Sequence, residues 1–350
     1  MTFPKSMSAA ILVELREPLV VSEVQMPAGC SVGQVLVKLR YSGICGSQFG
    51  EIDGVKGEDK FLPHLLGHEG SGHVVAVGAG VKQVKEGDAV VLHWRKGLGI
   101  EGAPPVYGWR GARLNAGYVT TFNDYAIVSE NRVTRIPTGT NLKVAALFGC
   151  AVTTGFGVVV NNAKLKIGES IVVYGSGGIG LNIVQAASLV SAYPIVAVDL
   201  FDGKLELARR MGATHCINAS KVNAEDEIRR IVLGRGLDVF VDNTGLPPVI
   251  QFGYTMTNPQ GRVVLVGVPR KGNDVTIYSL PIHFGKTLVG SHGGEAVPNE
   301  DIPRYLQLLD AGKIELESLI THIDSLANIN AAIREARSGE NAGRCLIDLG

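Results

Sequence analysis

The run Gly175-Ser176-Gly177-Gly178-Ile179-Gly180 is the strongest chemical signal in the chain. It follows an apolar stretch, Ser170–Tyr174, and opens a second, Gly178–Val190, so the glycines fall at a strand-to-helix turn. At such a turn the first glycine permits a tight bend, the second lets the backbone approach a pyrophosphate, and the third lets helix and strand pack closely. The helix N-terminus adds free N–H groups and the positive end of its dipole, both suited to phosphates. Taken alone, a glycine pattern of this kind also marks plain flexible loops. Asp199 ends the next apolar stretch 19 residues after Gly180, close to the roughly 20 expected for an acid that binds the ribose hydroxyls. Its charge would repel a 2′-phosphate, which favours NAD over NADP. Lys204 either reaches the same ribose or is a solvated helix residue.

Cys45, His68 and Cys150 carry the second potential chemistry, although their spacing is nothing like that of a zinc finger. A buried cysteine is usually a small hydrophobe. Their settings say more. Cys45 lies in Ser42-Gly-Ile-Cys-Gly-Ser47 directly after a strand, and His68 lies in Gly67-His-Glu-Gly-Ser-Gly72 at the entry to another. Cys150 lies in Phe148-Gly-Cys-Ala-Val-Thr-Thr-Gly155, where the texture of the chain changes. A cleft between two domains is where the reactive end of a dinucleotide would arrive.

The elements that must position these groups fall into two kinds. Up to about residue 150 the chain reads as short strands, Val35–Tyr41, His73–Val77, Asp88–Leu92 and Asp124–Val128, broken by glycine and proline turns. From about residue 165 strands and helices alternate: Ser170–Tyr174, Gly178–Val190, Ile195–Asp199, Asp202–Met211 with Gly212 as its cap, Leu237–Asp242 and Arg262–Gly267. That alternation implies a parallel sheet covered by helices. Helices are expected at Pro298–Leu309 and Asn328–Ser338, with a last strand at Arg344–Leu349 returning to the first domain.

Bulk properties fit this reading. A chain of 350 residues suggests two domains, and 33 basic against 33 acidic residues give a net charge of zero. Balanced charge argues against nucleic acid or an anionic membrane as partner. No apolar run reaches the roughly 18 residues of a membrane span, and Met1–Val13 lacks the pattern of a secretion signal. Five scattered cysteines (Cys30, Cys45, Cys150, Cys216, Cys345) suit reduced thiols in a cytoplasm better than a disulfide framework.

Taken in order, Gly-Ile-Cys45-Gly-Ser47, Gly67-His68-Glu69-Gly-x-Gly72, Gly149-Cys150-x-x-x-Thr154-Gly155, the glycine turn, Asp199 and Val266-Gly267-Val268 resemble the zinc-dependent alcohol dehydrogenases of the medium-chain dehydrogenase/reductase family. Within it the likeness is to sorbitol or polyol dehydrogenases without a structural zinc. The resemblance implies an α/β fold with a β-rich GroES-like catalytic domain, residues 1–151 and 289–350. A Rossmann domain with a doubly wound parallel sheet, residues 152–288, is inserted into it. Cys45, His68 and Cys150 then inherit the role of zinc ligands, with Glu69 an exchangeable fourth. Three N/S ligands leave one position open, as in catalytic zinc sites. Ser47 matches the hydroxyl that accepts the substrate's proton, Thr154 a residue beside the nicotinamide, and Val266 and Val268 further cofactor contacts. The implied reaction moves a hydride between NAD and a small alcohol or carbonyl, with a secondary alcohol, polyol or sugar derivative as the leading substrate. Relatives are usually homodimers or homotetramers.

Three departures qualify the match. Gln48 stands where the motif has an acid that orients the zinc-binding histidine. Gly50 stands where some relatives end their proton relay with a histidine, so another route is needed; His93 is a candidate, against the plain reading of a loop residue. The segment Trp94–Tyr118 lacks the four cysteines that hold a structural zinc in many relatives, so one ion per chain is expected. That segment either lines the substrate site with aromatic and basic groups or packs on its own tryptophan. Lys56, Lys60, Arg95 and Arg110 would suit a polar substrate, though such residues usually face solvent, and His64 is read as structural. Two rivals remain: a zinc-free enone or quinone reductase of the same superfamily, and an NAD-binding sensor without catalysis.

Overall fold

The computed structural model describes residues 3–350, so the first two residues of the segment expected to begin the β-rich domain lie outside it. The alternating half of the sequence builds one six-stranded parallel sheet in the order His215–Asn218, Ile195–Asp199, Ile171–Tyr174, Leu237–Asp242, Thr257–Leu265, Thr287–Gly290. Ile171, Val172 and Val173 are fully buried, as a strand covered on both faces requires. The chain runs from Ile171–Tyr174 first to one neighbour and later to the other, so the strand order reverses there. Ligands of open α/β sheets bind beside the carboxyl ends of the strands at such a point.

The helices have local causes. Gly178–Leu189 buries eight of its residues against the sheet. Asp202–Arg210 ends before Gly212, whose φ of 107° serves the expected cap. Ala224–Val232 starts on Asn223, whose side chain accepts hydrogen bonds from the N–H groups of Glu225 and Asp226. Pro247–Met256 and Pro298–Asp310 both begin at proline, which suits the first turn of a helix.

The remaining strands form two further sheets. Gln34–Gly43 is central to one of them, pairing antiparallel with Glu69–Val77, Tyr125–Ser129 and Arg344–Asp348. The C-terminal strand therefore does return to the first part of the chain, parallel to Ile320–Ser325. One continuous apolar cluster runs from Val91 and Phe148 through Val159 to Ile171 and Ile195, which locks the parallel sheet to the strands that precede it. Among the described residues, no single helix is long and apolar enough to cross a membrane.

The segment Trp94–Tyr118 packs on its own tryptophan and on the strand beside it. It contains a short hairpin, Tyr107–Trp109 with Ala112–Leu114, carried by the strand Val20–Gln25. Tyr107 and Trp109 are buried, Trp109 Nε1 donates to Ser22 Oγ at 3.0 Å, and Arg110 stacks 4.4 Å over the Trp109 ring. The loop before the hairpin is held by the buried Glu130 carboxylate, which accepts the N–H groups of Gln83 at 2.8 Å and Ile100 at 2.6 Å.

Candidate functional site

The glycine turn has the geometry its sequence calls for. Gly175 has a φ of 98°, a left-handed conformation that disfavours any side chain. A Cβ on Gly180 would lie 2.1 Å from the carbonyl oxygen of Gly175, so helix and strand meet there only through a glycine. Beside Gly177 a Cβ would meet nothing within 4 Å, which leaves open space at the helix N-terminus. The turn opens onto a cleft of about 600 Å³. Gly175, Gly177, Gly178, Ile179, Gly180, Asp199, Lys204, Val266 and Val268 all line it, and so do Cys45 and Ser47 from the other part of the fold.

Asp199 is nearly buried and already engaged: Oδ2 accepts the N–H of Ser176 at 2.8 Å, and Oδ1 accepts that of Leu200 at 2.8 Å. Lys204 Nζ lies 3.7 Å from Oδ1 and 4.9 Å from the Phe201 ring centre. The carboxylate thus holds the tip of the second strand to the glycine turn and faces the cleft with its remaining lone pairs.

The second cluster is built by three separate devices. Cys45 is the residue before the helix Gly46–Asp53, which the sequence reading missed because Gly-Ser-Gln-Phe-Gly has weak helical propensity. His68 precedes the strand Glu69–Val77. Cys150 sits at a break between two helices, Leu142–Gly149 and Ala151–Asn162, bent by 51°. A Cβ on Gly149 would lie 2.3 Å from Leu92 O and 2.8 Å from Glu69 Cα, so this glycine lets the break press against the strands. The ligand atoms of Cys45, His68 and Cys150 all fall within 4.8 Å of one another, and both cysteines are buried. Two soft thiolates and an imidazole are the donors zinc prefers, and ligand atoms about 2.0–2.3 Å from one ion can be spanned from these positions with small side-chain shifts. The donor set fits a zinc ion.

The electrostatics fit as well. A hydrogen bond from Cys150 holds the Cys45 thiol well below its ordinary range, helped by the charge of Arg344 and by a hydrogen bond from His68. Burial raises the Glu69 carboxyl, and Arg344 opposes that rise. Glu69 is fully buried, with Oε1 3.2 Å from Nε of Arg344, itself 7% exposed. Arg344 comes from the C-terminal strand, donates through Nη1 to Ile44 O, and leaves Nη2 without a partner. Its guanidinium carbon lies 3.1 Å from where a Cβ of Gly178 would be, so it bridges the thiol cluster and the glycine turn. Sequence reasoning missed this residue; a lone arginine near the C-terminus carries no local signal.

Thr154 follows Cys150 by one helical turn, is buried, and has an Oγ1 with no hydrogen-bond partner. Ser47 is exposed at the lip of the cleft. Arg344, with its unpartnered Nη2, and the open space at Gly177 both face the cleft.

Other candidates fall away. Lys56 lines the cleft, but Lys60, Arg95 and Arg110 do not. His64 is tied to Leu65 O at 2.9 Å and Asp59 at 3.0 Å, a structural role. His93 is neither a loop residue nor a relay: it ends the strand Ala89–His93, is 1% exposed, and spends both ring nitrogens on Arg95 O and Thr134 Oγ1. Burial lowers its pKa from 6.5 to about 4. A base whose folded pKa is depressed contributes stability that is full above 6.5 and is lost as pH falls toward 4, because the unfolded chain takes the proton first. About 3 kcal/mol of stability should disappear across that window through this group. Urea unfolding of wild type and His93→Gln at pH 7.5 and 4.5 tests it; an equal pH loss in both would refute the assignment.

A nucleotide-binding sheet whose cleft reaches Cys45, one member of a thiol–imidazole–thiol cluster, is the build of a metal-dependent dehydrogenase. Comparison with known proteins agrees. Residues 31–138 match the alcohol dehydrogenase GroES-like domain, and residues 178–311 match the zinc-binding dehydrogenase domain. The chain is 31% identical to the class-3 alcohol dehydrogenase of Cereibacter sphaeroides, over 95% of this chain and 97% of that protein. It is equally similar, with the same coverage, to the S-(hydroxymethyl)glutathione dehydrogenase of Paracoccus denitrificans. Among solved structures, the benzyl alcohol dehydrogenase of Acinetobacter calcoaceticus superposes with a TM-score of 0.89 at 26% identity, covering 99% of this chain and 100% of that one. An alcohol dehydrogenase zinc-binding domain protein from Burkholderia ambifaria gives the same TM-score at 28% identity, covering 99% of both chains. The chain belongs to the zinc-binding alcohol dehydrogenase family, whose members are NAD-dependent oxidoreductases.

Proposed function

We propose that this enzyme interconverts a small alcohol and its carbonyl with NAD at a single zinc ion held by Cys45, His68 and Cys150, with Glu69 as an exchangeable ligand. The observation that carries this reading is the shared cleft: Cys45 and Ser47 face the same space as the glycine turn. Zinc supplies a Lewis acid that polarises the substrate oxygen, and NAD supplies the hydride acceptor. The chain's own residues do the rest. The N–H groups at Gly177–Gly180 and the guanidinium of Arg344 bind the pyrophosphate. Asp199 takes a ribose hydroxyl and repels a 2′-phosphate, with Lys204 beside it, so NAD is preferred to NADP. Thr154, Val266 and Val268 orient the nicotinamide end. Ser47 accepts the proton of the substrate hydroxyl, and because it is exposed the proton passes directly to water, with no histidine needed where Gly50 stands.

The leading substrate class is a secondary alcohol of polyol or sugar type, supported by the polar lip formed by Ser47, Lys56 and Asp53. The reading includes one ion per chain, supported by the absence of cysteine from Trp94–Tyr118, and cytoplasmic placement, supported by five free thiols. A homo-oligomer, dimer or tetramer, is also part of it. Among the described residues the edge strand Thr287–Gly290 pairs on one side only, and Tyr278 and Phe284, which precede it in the chain, are 70% and 69% exposed, apolar surface that a second copy would cover.

The test uses purified protein: zinc per chain by elemental mass spectrometry, mass by sedimentation velocity, and reduction of NAD and NADP. The alcohol panel spans polyols, sugar-derived, aromatic and primary alcohols and S-(hydroxymethyl)glutathione. Expected are one zinc, an oligomer and NAD-dependent turnover. Turnover on enones without zinc would favour the reductase rival, and NAD binding without turnover the sensor.

A further inference from the structure

The amide of Gln48 is caught between two groups with fixed demands. It is fully buried in the first turn of the helix Gly46–Asp53, and its Oε1 accepts the N–H of Cys45 at 2.9 Å. A backbone N–H can only donate, so the oxygen must face Cys45 and the NH₂ group must face the other neighbour, Nδ1 of His68. An amide NH₂ can only donate as well. Nδ1 of His68 must therefore present its lone pair, and the neutral ring carries its hydrogen on Nε2. That nitrogen is the one left to face the two thiols of the cluster.

A metal on the Cys45–His68–Cys150 cluster reverses this demand. Nε2 must offer its lone pair to the ion, and the hydrogen moves to Nδ1, where it points at the NH₂ of Gln48. Turning the amide over moves the clash to Cys45, whose N–H would then face that NH₂. Either way two donors oppose each other in a buried space, and such groups are costly when unpaired. A carboxylate at this position accepts from both Cys45 and His68 and meets no such conflict.

We propose that Gln48 is a positioning residue that keeps the zinc of this enzyme weakly held and exchangeable, by favouring the His68 tautomer that cannot bind it. The proposal rests on the reading of Cys45, His68 and Cys150 as the metal site. Groups behind a metal-binding histidine change affinity by about 10–100-fold. Gln48→Glu keeps the shape and the Cys45 bond while replacing the donor by an acceptor.

Two measurements test this. Zinc dissociation constants come from competition with a chromophoric chelator for wild type and Gln48→Glu. Nitrogen-15 NMR of the metal-free proteins, with His68 assigned by its loss in His68→Gln, reads the tautomer directly. The expected results are a 10–100-fold tighter constant in Gln48→Glu, with His68 protonated on Nε2 in metal-free wild type and on Nδ1 in the variant. Constants within twofold of each other, or an Nδ1-protonated His68 in metal-free wild type, would overturn the proposal while leaving the metal site intact. Zinc bound by neither protein would overturn both. Zinc bound by Gln48→Glu alone would support the proposal in its strongest form.

Discussion

Replacing Cys150 with alanine is expected to empty the metal cluster and to lower kcat/KM for alcohol oxidation by about a thousandfold or more. The substitution leaves one thiol and one imidazole, too few to close a tetrahedral zinc site. A Lewis acid on the reacting oxygen is worth several kcal/mol, and each 1.36 kcal/mol is about a tenfold change in rate. The fold should survive, because sulfur is replaced by a methyl group at the break between two helices that are otherwise packed. Cys150 does not line the cleft with the glycine turn, so NAD affinity should change by no more than about twofold to threefold. Zinc content, calorimetric NAD binding and turnover on the same preparation separate the possibilities. A variant that keeps its zinc, or keeps most of its turnover after losing it, would sink the metal-dependent reading.

Arg344→Met should damage two properties that can be separated. The guanidinium faces Glu69, a carboxylate with no exposed surface, at 3.2 Å. Removing one partner of a buried pair leaves an uncompensated charge and costs about 3–5 kcal/mol, so the melting temperature should fall steeply. The same guanidinium lies against Gly178 at the helix N-terminus where the pyrophosphate is proposed to bind. Losing a hydrogen bond to a charged group costs about 1.5–3 kcal/mol, or roughly 10–100-fold in NAD affinity. The double variant Arg344→Met/Glu69→Gln removes both charges together and should recover most of the stability, yet none of the NAD affinity. If it recovers neither, the pair is not coupled as described. If it recovers both, Arg344 supports the site only through Glu69.

What was legible in the chain was what is local. The strand Ile171–Tyr174, the turn after it and the helix Gly178–Leu189 are contiguous, so the demands on Gly175 and Gly180 appear directly as missing side chains. The helix Asp202–Arg210 was readable for the same reason, through Gly212. Weak or short elements were not. The strands Ser6–Leu12 and Val20–Gln25 and the helix Pro247–Met256 were all missed, the helix because two prolines, a glycine and β-branched residues give it a weak helical pattern. His93 was misplaced because its last-in-strand position and its bond to Thr134 depend on a strand 41 residues away.

By itself, then, the sequence determined the dinucleotide turn, the acid at the end of the second strand and, through resemblance, the three metal-ligand candidates. Only the tertiary structure decided that Cys45, His68 and Cys150 converge, that Arg344 joins them from a strand 300 residues beyond Ile44, and that Gln48 meets His68 with the NH₂ end of its amide. The physical reason is that hydrogen-bond direction and charge pairing act over a few ångströms in space. Those distances are set by which strands pair and which helices break, and residue order alone does not contain them.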